Sequence, residues 1–593
     1  LVRLSLVRLS LVRLSLVRLS LVRLSPRTIA VVLDGPGLHV QIRTTQAPAV
    51  ATRVTPGRPM SIGGLEVVVD PAADGELRWS VANPGPDDLA LDAIALVWDA
   101  GPVGDDPRLF SNGYQSWTAA RTLRLGVDVD PSRDTRPIPL VRAAFHADPG
   151  VAGPGELRSE QVAIIATGDR ARLGIGFVGG ASHAGTVRVR VVDDRIEIAA
   201  AAWFGGATLR AGERRVLHPI VTEEHDDPSF LLERWADRTG RAEHARVDAP
   251  FLAGWCSWYQ YFEHVTERDV LANLAVADDW PFDVFQLDDG FQRAIGDWLQ
   301  TNERFPSGID GIAGAIRASG RTAGLWIAPF LAAPDSEVAL AHPDWLARAP
   351  RGDGPAIGMY HDVWGGVMWQ LDTTNPEVID HLSATAAAIV DAGYRYLKLD
   401  FTFSAAMPGR FADPTRTPAE RVRAGYDAIR RGAGDDVFIL GCGAPLGALV
   451  GVVDAMRVGA DVAPWWEAPA DAPERQPAYE ETTPATKHAF VNTCTRSFMH
   501  RRLWSNDPDC IMLRDRDTRL SPAAAAEWAE TVGASGGLVL VSDDLSLIDV
   551  DGRRLLDEVL VRARAVDGAA RSGRTPRALG LLDPRGPSGL TTP

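Results

Sequence analysis

From about Arg27 to Leu217 the chain is built of short runs rich in Val, Ile, Leu and Ala, as in VVLDGPGLHVQI and TVRVRVVDDRIEIAAAAWF, broken by Gly, Pro and Asp pairs. Closely spaced strands with turn punctuation predict an N-terminal β-sandwich. FLLERWADRTG reads as a helical linker, and near Pro250 the rhythm changes to apolar strand-like runs alternating with Ala-rich helical stretches. The candidate strands are FLAGWCSWY, DVFQLDDGF, TAGLWIAPF, YRYLKLDF, DVFILGCGAP, AMRVGADVAP, a segment near FMHRRLWSNDPD, and GGLVLVSDD. Eight in a row with helical spacers predict a (β/α)8 TIM barrel. An open doubly wound sheet is the alternative, but no glycine-rich phosphate turn follows the first strand. About fifty residues remain after Asp543, too few for a further complete domain.

Leu1–Ser25 is LVRLS repeated five times. An Arg in every unit interrupts the apolar stretch that a secretory signal or a membrane span needs. A five-residue period also keeps no face of a helix or strand for long, which counts against a basic membrane-surface segment. The repeat reads as a misassigned start over repetitive DNA and is expected to lie outside the fold.

Length and charge narrow the function. A chain of 593 residues is expected to hold two to four domains, and a formal net charge of -16 argues against a nucleic-acid backbone as partner. A neutral substrate suits it better, with no membrane partner; a homo-oligomer stays open. Cys256, Cys442, Cys494 and Cys510 are widely separated and lack metal-ligand spacing, so reduced thiols are expected. The absence of a secretory signal points to the cytoplasm.

Nearly every candidate strand ends in a polar or aromatic residue: Trp258 and Tyr259, Asp288 and Asp289, Trp326, Lys398 and Asp400, Cys442, Arg457 and Asp461, Asp507 and Asp509. In a barrel these ends share one mouth. Carboxylates that accept from hydroxyls, beside flat apolar rings, suit a sugar. The period of two puts Lys398 and Asp400 on one side of YLKLD, where the cation favours an ionised, nucleophilic carboxylate. Arg457 and Asp461, four apart, share a face if their strand is regular. Other readings stand beside these: Asp288-Asp289-Gly290 as a turn, Cys442 as a core residue, Asp372 as the cap of a helix starting near Pro376, and the tryptophans of AGWCSWY and APFLAAPDSEVALAHPDWL as core packing.

Taken together, NGYQSW (112–117), GWCSWYQYFEHVTE (254–267), FQLDDGFQRAIGDWL (285–299), YLKLDF (396–401), RVGAD (457–461) and LWSNDPDCIMLR (503–514) resemble the melibiase-type α-galactosidases of glycoside hydrolase family 36, and more distantly family 27. The resemblance implies a β-sandwich, a catalytic barrel and a C-terminal β domain, with retaining double displacement and no cofactor. It implies Asp400 as nucleophile and Asp461 as acid/base. Asp288 and Asp289 would hold the galactose 4- and 6-hydroxyls, Trp298 and Trp326 would line the pocket, Lys398 would bond ring hydroxyls, and Cys442 would lie near the 2-position. Arg457 joins this substrate-binding set. The substrates implied are α-galactoside oligosaccharides. The tail is much shorter than a family-type β domain and reads as truncated. The acid/base motif, RVGADVAPWW, departs from the Asp-Asp form of other branches.

The expected division is the repeat at 1–25, a sandwich at 26–245, the barrel at 246–543 and a truncated C-terminal β region at 544–593. An α-N-acetylgalactosaminidase or a raffinose-synthase-like galactosyl transferase would share both carboxylates. A non-catalytic sugar-binding homologue is the reading from another class, and intact Asp400 and Asp461 argue against it.

Overall fold

The computed structural model of the chain describes residues 38–45, 49–72, 75–133, 139–472 and 477–591. The LVRLS repeat lies outside the described residues. Between His39 and Glu223 the chain forms two antiparallel sheets. One has six strands, with Leu89–Pro102 and Arg195–Leu209 paired at its centre. The other runs from Met60–Ile62 at one edge to Arg121–Arg124 at the far edge. Strand Leu65–Pro71 shows why they stack: Leu65, Val67 and Val69 are buried while Glu66 and Asp70 are not, so its period of two turns one face inward. Trp79, Leu96, Phe177, Val187 and Ile198 fill the space between the sheets.

The helix Pro228–Ala242 then carries the chain across, starting at the Asp227 cap and Pro228. Its Trp235 donates from Nε1 to the carbonyl of Phe177 at 2.8 Å, fastening the helix to the sandwich.

Eight parallel strands follow: β1 (Ala253–Cys256), β2 (Val284–Leu287), β3 (Thr322–Ile327), β4 (Tyr394–Leu399), β5 (Phe438–Gly441), β6 (Ala455–Arg457), β7 (Ser505–Asp507) and β8 (Val539–Val541). They pair in the order β7-β6-β5-β4-β3-β2-β1-β8. The ring is drawn together where the Leu538 N–H reaches the Asn506 carbonyl at 3.0 Å and the Ile511 N–H reaches that of Leu540 at 2.8 Å. Each strand falls within one of the eight expected runs. Most of the runs are readable because strands covered on both faces are largely apolar, as with Val284, Phe285 and Leu287 of β2, all four of whose residues are buried.

The longer helices around the barrel are α1 (Glu267–Val276), α2 (Gly308–Ala318), α3 (Pro376–Asp391), α4 (Pro418–Ala433), α5 (Thr486–Thr495), α6 (Pro522–Ser535) and α7 (Val550–Arg571). Among the described residues β5 is followed not by a helix but by a single 3-10 turn, Gly447–Leu449. The sandwich occupies that side. The Ser116 N–H donates to the Ala444 carbonyl at 3.1 Å, the Ala444 N–H to Ser116 Oγ at 3.2 Å, and the Leu446 N–H to the Tyr114 carbonyl at 3.1 Å. Gly180 lies so close that a Cβ there would strike the backbone of Gly447.

Two expectations change. After Asp543 the chain is mainly helical: α7 has 22 residues and buries Leu556, Val559, Leu560, Ala563, Val566 and Ala570. That spacing is one helical face, packed on α6, and it supplies the helix after β8. Only Arg577–Leu579 and Gly589–Thr591 pair, as a two-stranded hairpin. Asp372 does not cap α3; Asn375 does, accepting from the Glu377 N–H at 3.0 Å. Asp372 instead accepts from the Thr374 and Ala412 N–H groups, tying two loops together. Among the described residues no helix is long and apolar enough to cross a membrane.

Candidate active site

Asp400 follows directly on β4 and extends its ladder, donating its N–H to the Ile327 carbonyl at 2.9 Å. Both carboxylate oxygens are engaged. Oδ2 accepts from Trp326 Nε1 at 3.0 Å and lies 3.6 Å from Lys398 Nζ; Oδ1 accepts from the Phe401 N–H at 2.7 Å. Phe401 achieves this with φ 53 and ψ 27, a left-handed conformation that costs a bulky residue roughly 1–2 kcal/mol. Lys398 also bonds Asp288 Oδ2 at 3.0 Å. Burial by itself would lower the Lys398 pKa, but Asp288 and Asp400 outweigh it and hold it well above the ordinary lysine range.

Asp461 is held differently. β6 ends at Arg457, so Asp461 stands in the following loop and strand alternation does not explain its direction. The two side chains still meet, Arg457 donating from Nη1 to Asp461 Oδ1 at 2.9 Å. The same buried guanidinium reaches Asp507 Oδ2 from Nε at 3.0 Å and Asp509 Oδ1 from Nη2 at 2.8 Å. One cation thus serves three carboxylates. Tyr259 donates its hydroxyl to Asp509, as does the Val462 N–H, which anchors the start of the loop beyond Asp461. Burial raises the Asp461 pKa to about 7, with Asp509 and Asp400 adding to the rise and Arg457 and Lys398 opposing it.

The third group lies at the end of β2. Asp288 accepts from Gln286 and Lys398, and its own N–H donates to Ser257 Oγ at 3.0 Å. Asp289 accepts from Trp364 Nε1 at 2.8 Å and from Gln292 Nε2 at 2.6 Å. Burial, helped by Asp288, lifts the Asp289 pKa to about 6 against those donors. The pair is therefore not a bare turn: each carboxyl has its own donors.

An aromatic wall closes the site. Trp298 meets Trp326 edge-on with ring centroids 5.8 Å apart, and Trp326 meets Trp364 at 6.0 Å. Trp364 in turn packs on Phe401 at 4.8 Å and on His361 at 4.5 Å. Cys442, at the end of β5, is fully buried, and its thiol is pushed well above the usual range by burial and then by Asp400. Trp255 and Trp345 are buried packing residues.

All nine residues singled out for the site, Asp288, Asp289, Trp298, Trp326, Lys398, Asp400, Cys442, Arg457 and Asp461, fall into this linked set. Others escaped notice. Trp364 and His361 come from an antiparallel hairpin, Ile357–His361 with Gly366–Gln370, inserted between β3 and α3. Trp117 comes from the sandwich and packs on Phe401 at 5.0 Å; within NGYQSW no spacing marks it for the site. Asp507 and Asp509 stand at a strand end in the sequence, but no spacing signals that they share Arg457. Among the described residues no group of three or more His, Cys, Asp or Glu is arranged to hold a metal ion. Outside Asp289 and Trp364 a cavity of about 310 Å³ opens, edged by Glu263, Gln292, Arg293 and Arg304.

Residues 240–421 match the Melibiase family model. Among curated proteins, the α-galactosidase AgaA of Geobacillus stearothermophilus is 25% identical over 176 residues, which is 28% of this chain and 23% of that protein. The chain thus spans about a quarter of the length of that relative. Among solved structures, TtGalA, an α-galactosidase from Thermus thermophilus in complex with p-nitrophenyl α-D-galactopyranoside, aligns with a TM-score of 0.65 and 27% identity. That alignment covers 85% of this chain and 94% of TtGalA. The GH36 α-galactosidase AgaA shares the fold at a TM-score of 0.58 and 14% identity, over 92% of this chain and 76% of its own.

Proposed function

We propose that this homologue of the GH36 α-galactosidases hydrolyses terminal α-linked galactose from galacto-oligosaccharides with retention of configuration. The carrying observation is the unequal pair of carboxylates on one rim. Asp400 is fixed beside a cation, whereas Asp461 has its pKa raised to about 7 and senses the charge of Asp400.

In the first step an Asp400 oxygen bonds to the anomeric carbon while the bond to the departing oxygen breaks, and Asp461 gives that oxygen its proton. In the second step Asp461 takes a proton from water as the water displaces Asp400, releasing galactose and restoring both groups. An acid with a pKa near 7 suits both transfers close to neutrality. Asp288 and Asp289 hold the 4- and 6-hydroxyls, Lys398 bonds ring hydroxyls, and Cys442 lies toward the 2-position. Trp298, Trp326 and Trp364 provide the apolar wall, and Arg457 orients Asp461.

TtGalA in complex with stachyose, at 28% identity, supports an oligosaccharide substrate of this class. The relatives are α-galactosidases, which favours galactose over a 2-acetamido sugar, and hydrolysis over transfer. Four free, buried cysteines suit a reducing compartment such as the cytoplasm. The test is cleavage of p-nitrophenyl α-galactoside and its 2-acetamido analogue by the wild type, Asp400→Gly and Asp461→Ala. Galactoside cleavage by the wild type is expected, abolished in Asp400→Gly and reduced in Asp461→Ala, with azide restoring turnover to Asp400→Gly as the inverted glycosyl azide. Undiminished activity in Asp400→Gly would overturn the assignment.

A further inference from the structure

The NGYQSW loop belongs to the sandwich, yet it ends inside the barrel mouth. Trp117 packs edge-on against Phe401 at 5.0 Å and against Phe403 at 6.0 Å. Phe401 is the left-handed residue whose N–H points at Asp400 Oδ1. A non-glycine residue stays in that conformation only where its surroundings hold it. Trp117, Trp326, Trp364 and His361 ring the Phe401 side chain, and only Trp117 comes from another domain. Gly443 closes the contact from beneath: a Cβ there would lie 2.8 Å from the Trp117 ring and 2.9 Å from the Phe401 nitrogen. The buried Trp117 Nε1 has no acceptor among the described residues, so the ring acts through its surface.

The other end of the loop is gripped by Arg496, the residue that follows α5. Its side chain is fully buried, and the oxygens it reaches are carbonyls and an amide rather than a carboxylate. It donates to the Ser116 carbonyl at 2.8 Å, to Asn112 Oδ1 at 3.1 Å and to the Val458 carbonyl at 2.7 Å. Val458 follows Arg457 and stands three residues before Asp461. A buried guanidinium without a counter-charge is costly, so its oxygen partners have to be in place together. Here they come from the sandwich loop and from the strand end that carries the second carboxylate.

We propose that the sandwich loop Asn112–Trp117 positions both carboxylates of the barrel, Asp400 through Trp117 and Phe401, and Asp461 through Arg496 and Val458. Trp117 and Arg496 are positioning residues; the inference rests on the α-galactosidase reading for its chemical consequence but not for its geometry.

The test uses Trp117→Ala, Trp117→Phe and Arg496→Lys in the full chain, with one α-galactoside whose leaving group needs no proton and one whose leaving group does. Trp117→Ala should lower kcat/KM roughly tenfold or more on both substrates, since a misaimed nucleophile slows either. Inhibition by galactose should stay within about threefold, and Trp117→Phe should recover most of the rate. Arg496→Lys should lower kcat/KM roughly tenfold for the substrate with the poor leaving group and much less for the activated one, because in the first step only the former needs a proton from Asp461. Unchanged rates, or a Trp117→Ala loss matched by an equal loss of galactose affinity, would overturn the proposal. So would an equal loss of kcat/KM on both substrates in Arg496→Lys. If Trp117→Ala melts early, Trp117→Leu replaces most of the lost volume and faces the same criteria. A crystal structure of either Trp117 variant supplies a readout without turnover: Phe401 should leave the left-handed region and its N–H should part from Asp400. An unmoved Phe401 would refute the positioning role even if the wild type proved inactive on galactosides.

Discussion

The strand end after β4 and the loop after β6 present the two key carboxylates on one rim, but they hold them by different means. Asp400 is an extension of the barrel ladder with donors on both oxygens. Asp461 stands four residues beyond Arg457, its recorded side-chain partner, and that arginine is divided among three carboxylates. A group that must form a bond along one line to carbon gains from a fixed backbone. A group that passes a proton needs reach and a pKa near the working pH, which its charged neighbours supply. On the proposed assignment the rim thus separates a problem of direction from a problem of titration.

The strongest way to break this comparison is a leaving-group series with Asp400→Asn and Asp461→Ala. Asp400→Asn should lose roughly 10⁴-fold or more in kcat on every substrate. Asp461→Ala should lose roughly 10²–10⁴-fold in kcat/KM on substrates with poor leaving groups and far less on activated ones. If both variants respond alike across the series, the division fails. Next in size, Arg457→Met would strip the cation from three carboxylates, two of them wholly buried. Urea denaturation should record a loss of about 3–5 kcal/mol, and a loss below about 1 kcal/mol would mean that those carboxyls take up protons without cost.

The smallest effect concerns pH. On the proposed assignment Asp461 must be protonated to act in the first step, so kcat/KM should fall as pH rises through about 7. Asp509 pushes that value up as a like charge and also occupies part of Arg457. Asp509→Asn removes both influences and should move the alkaline limb to lower pH, by about one unit or less. A limb that moves upward would show that Asp509 is not a like-charge neighbour of the titrating group.

Much of the barrel was legible because most of its buried strands are largely apolar runs ended by polar residues, as Val539–Val541 before Ser542 and Asp543 illustrates. The helical period of α7 was equally present in Leu556, Val559, Leu560 and Ala563, yet resemblance to a longer family pattern suggested β structure there. Trp364 could not be placed because a ring in an inserted hairpin has no periodic neighbour to declare its direction. Asp461 was paired with Arg457 by a strand alternation that stops at Arg457, although the contact itself exists. The union of Asp507, Asp509 and Asp461 around one guanidinium depends on two strands and a loop meeting in space, which no local spacing encodes.

The missing helix after β5 has a consequence for how the molecule comes apart. Where a free-standing barrel would close that flank with its own helix, this one has Tyr114 and Ser116 of the sandwich bonded to Ala444 and Leu446. Pulling the sandwich away would leave those groups without partners, and would take from Arg496 three of its four acceptors, Asn112 Oδ1 and the carbonyls of Gly113 and Ser116. Sandwich and barrel are therefore coupled in unfolding, so that heat should melt them in a single transition and the barrel expressed alone should not hold its mouth closed.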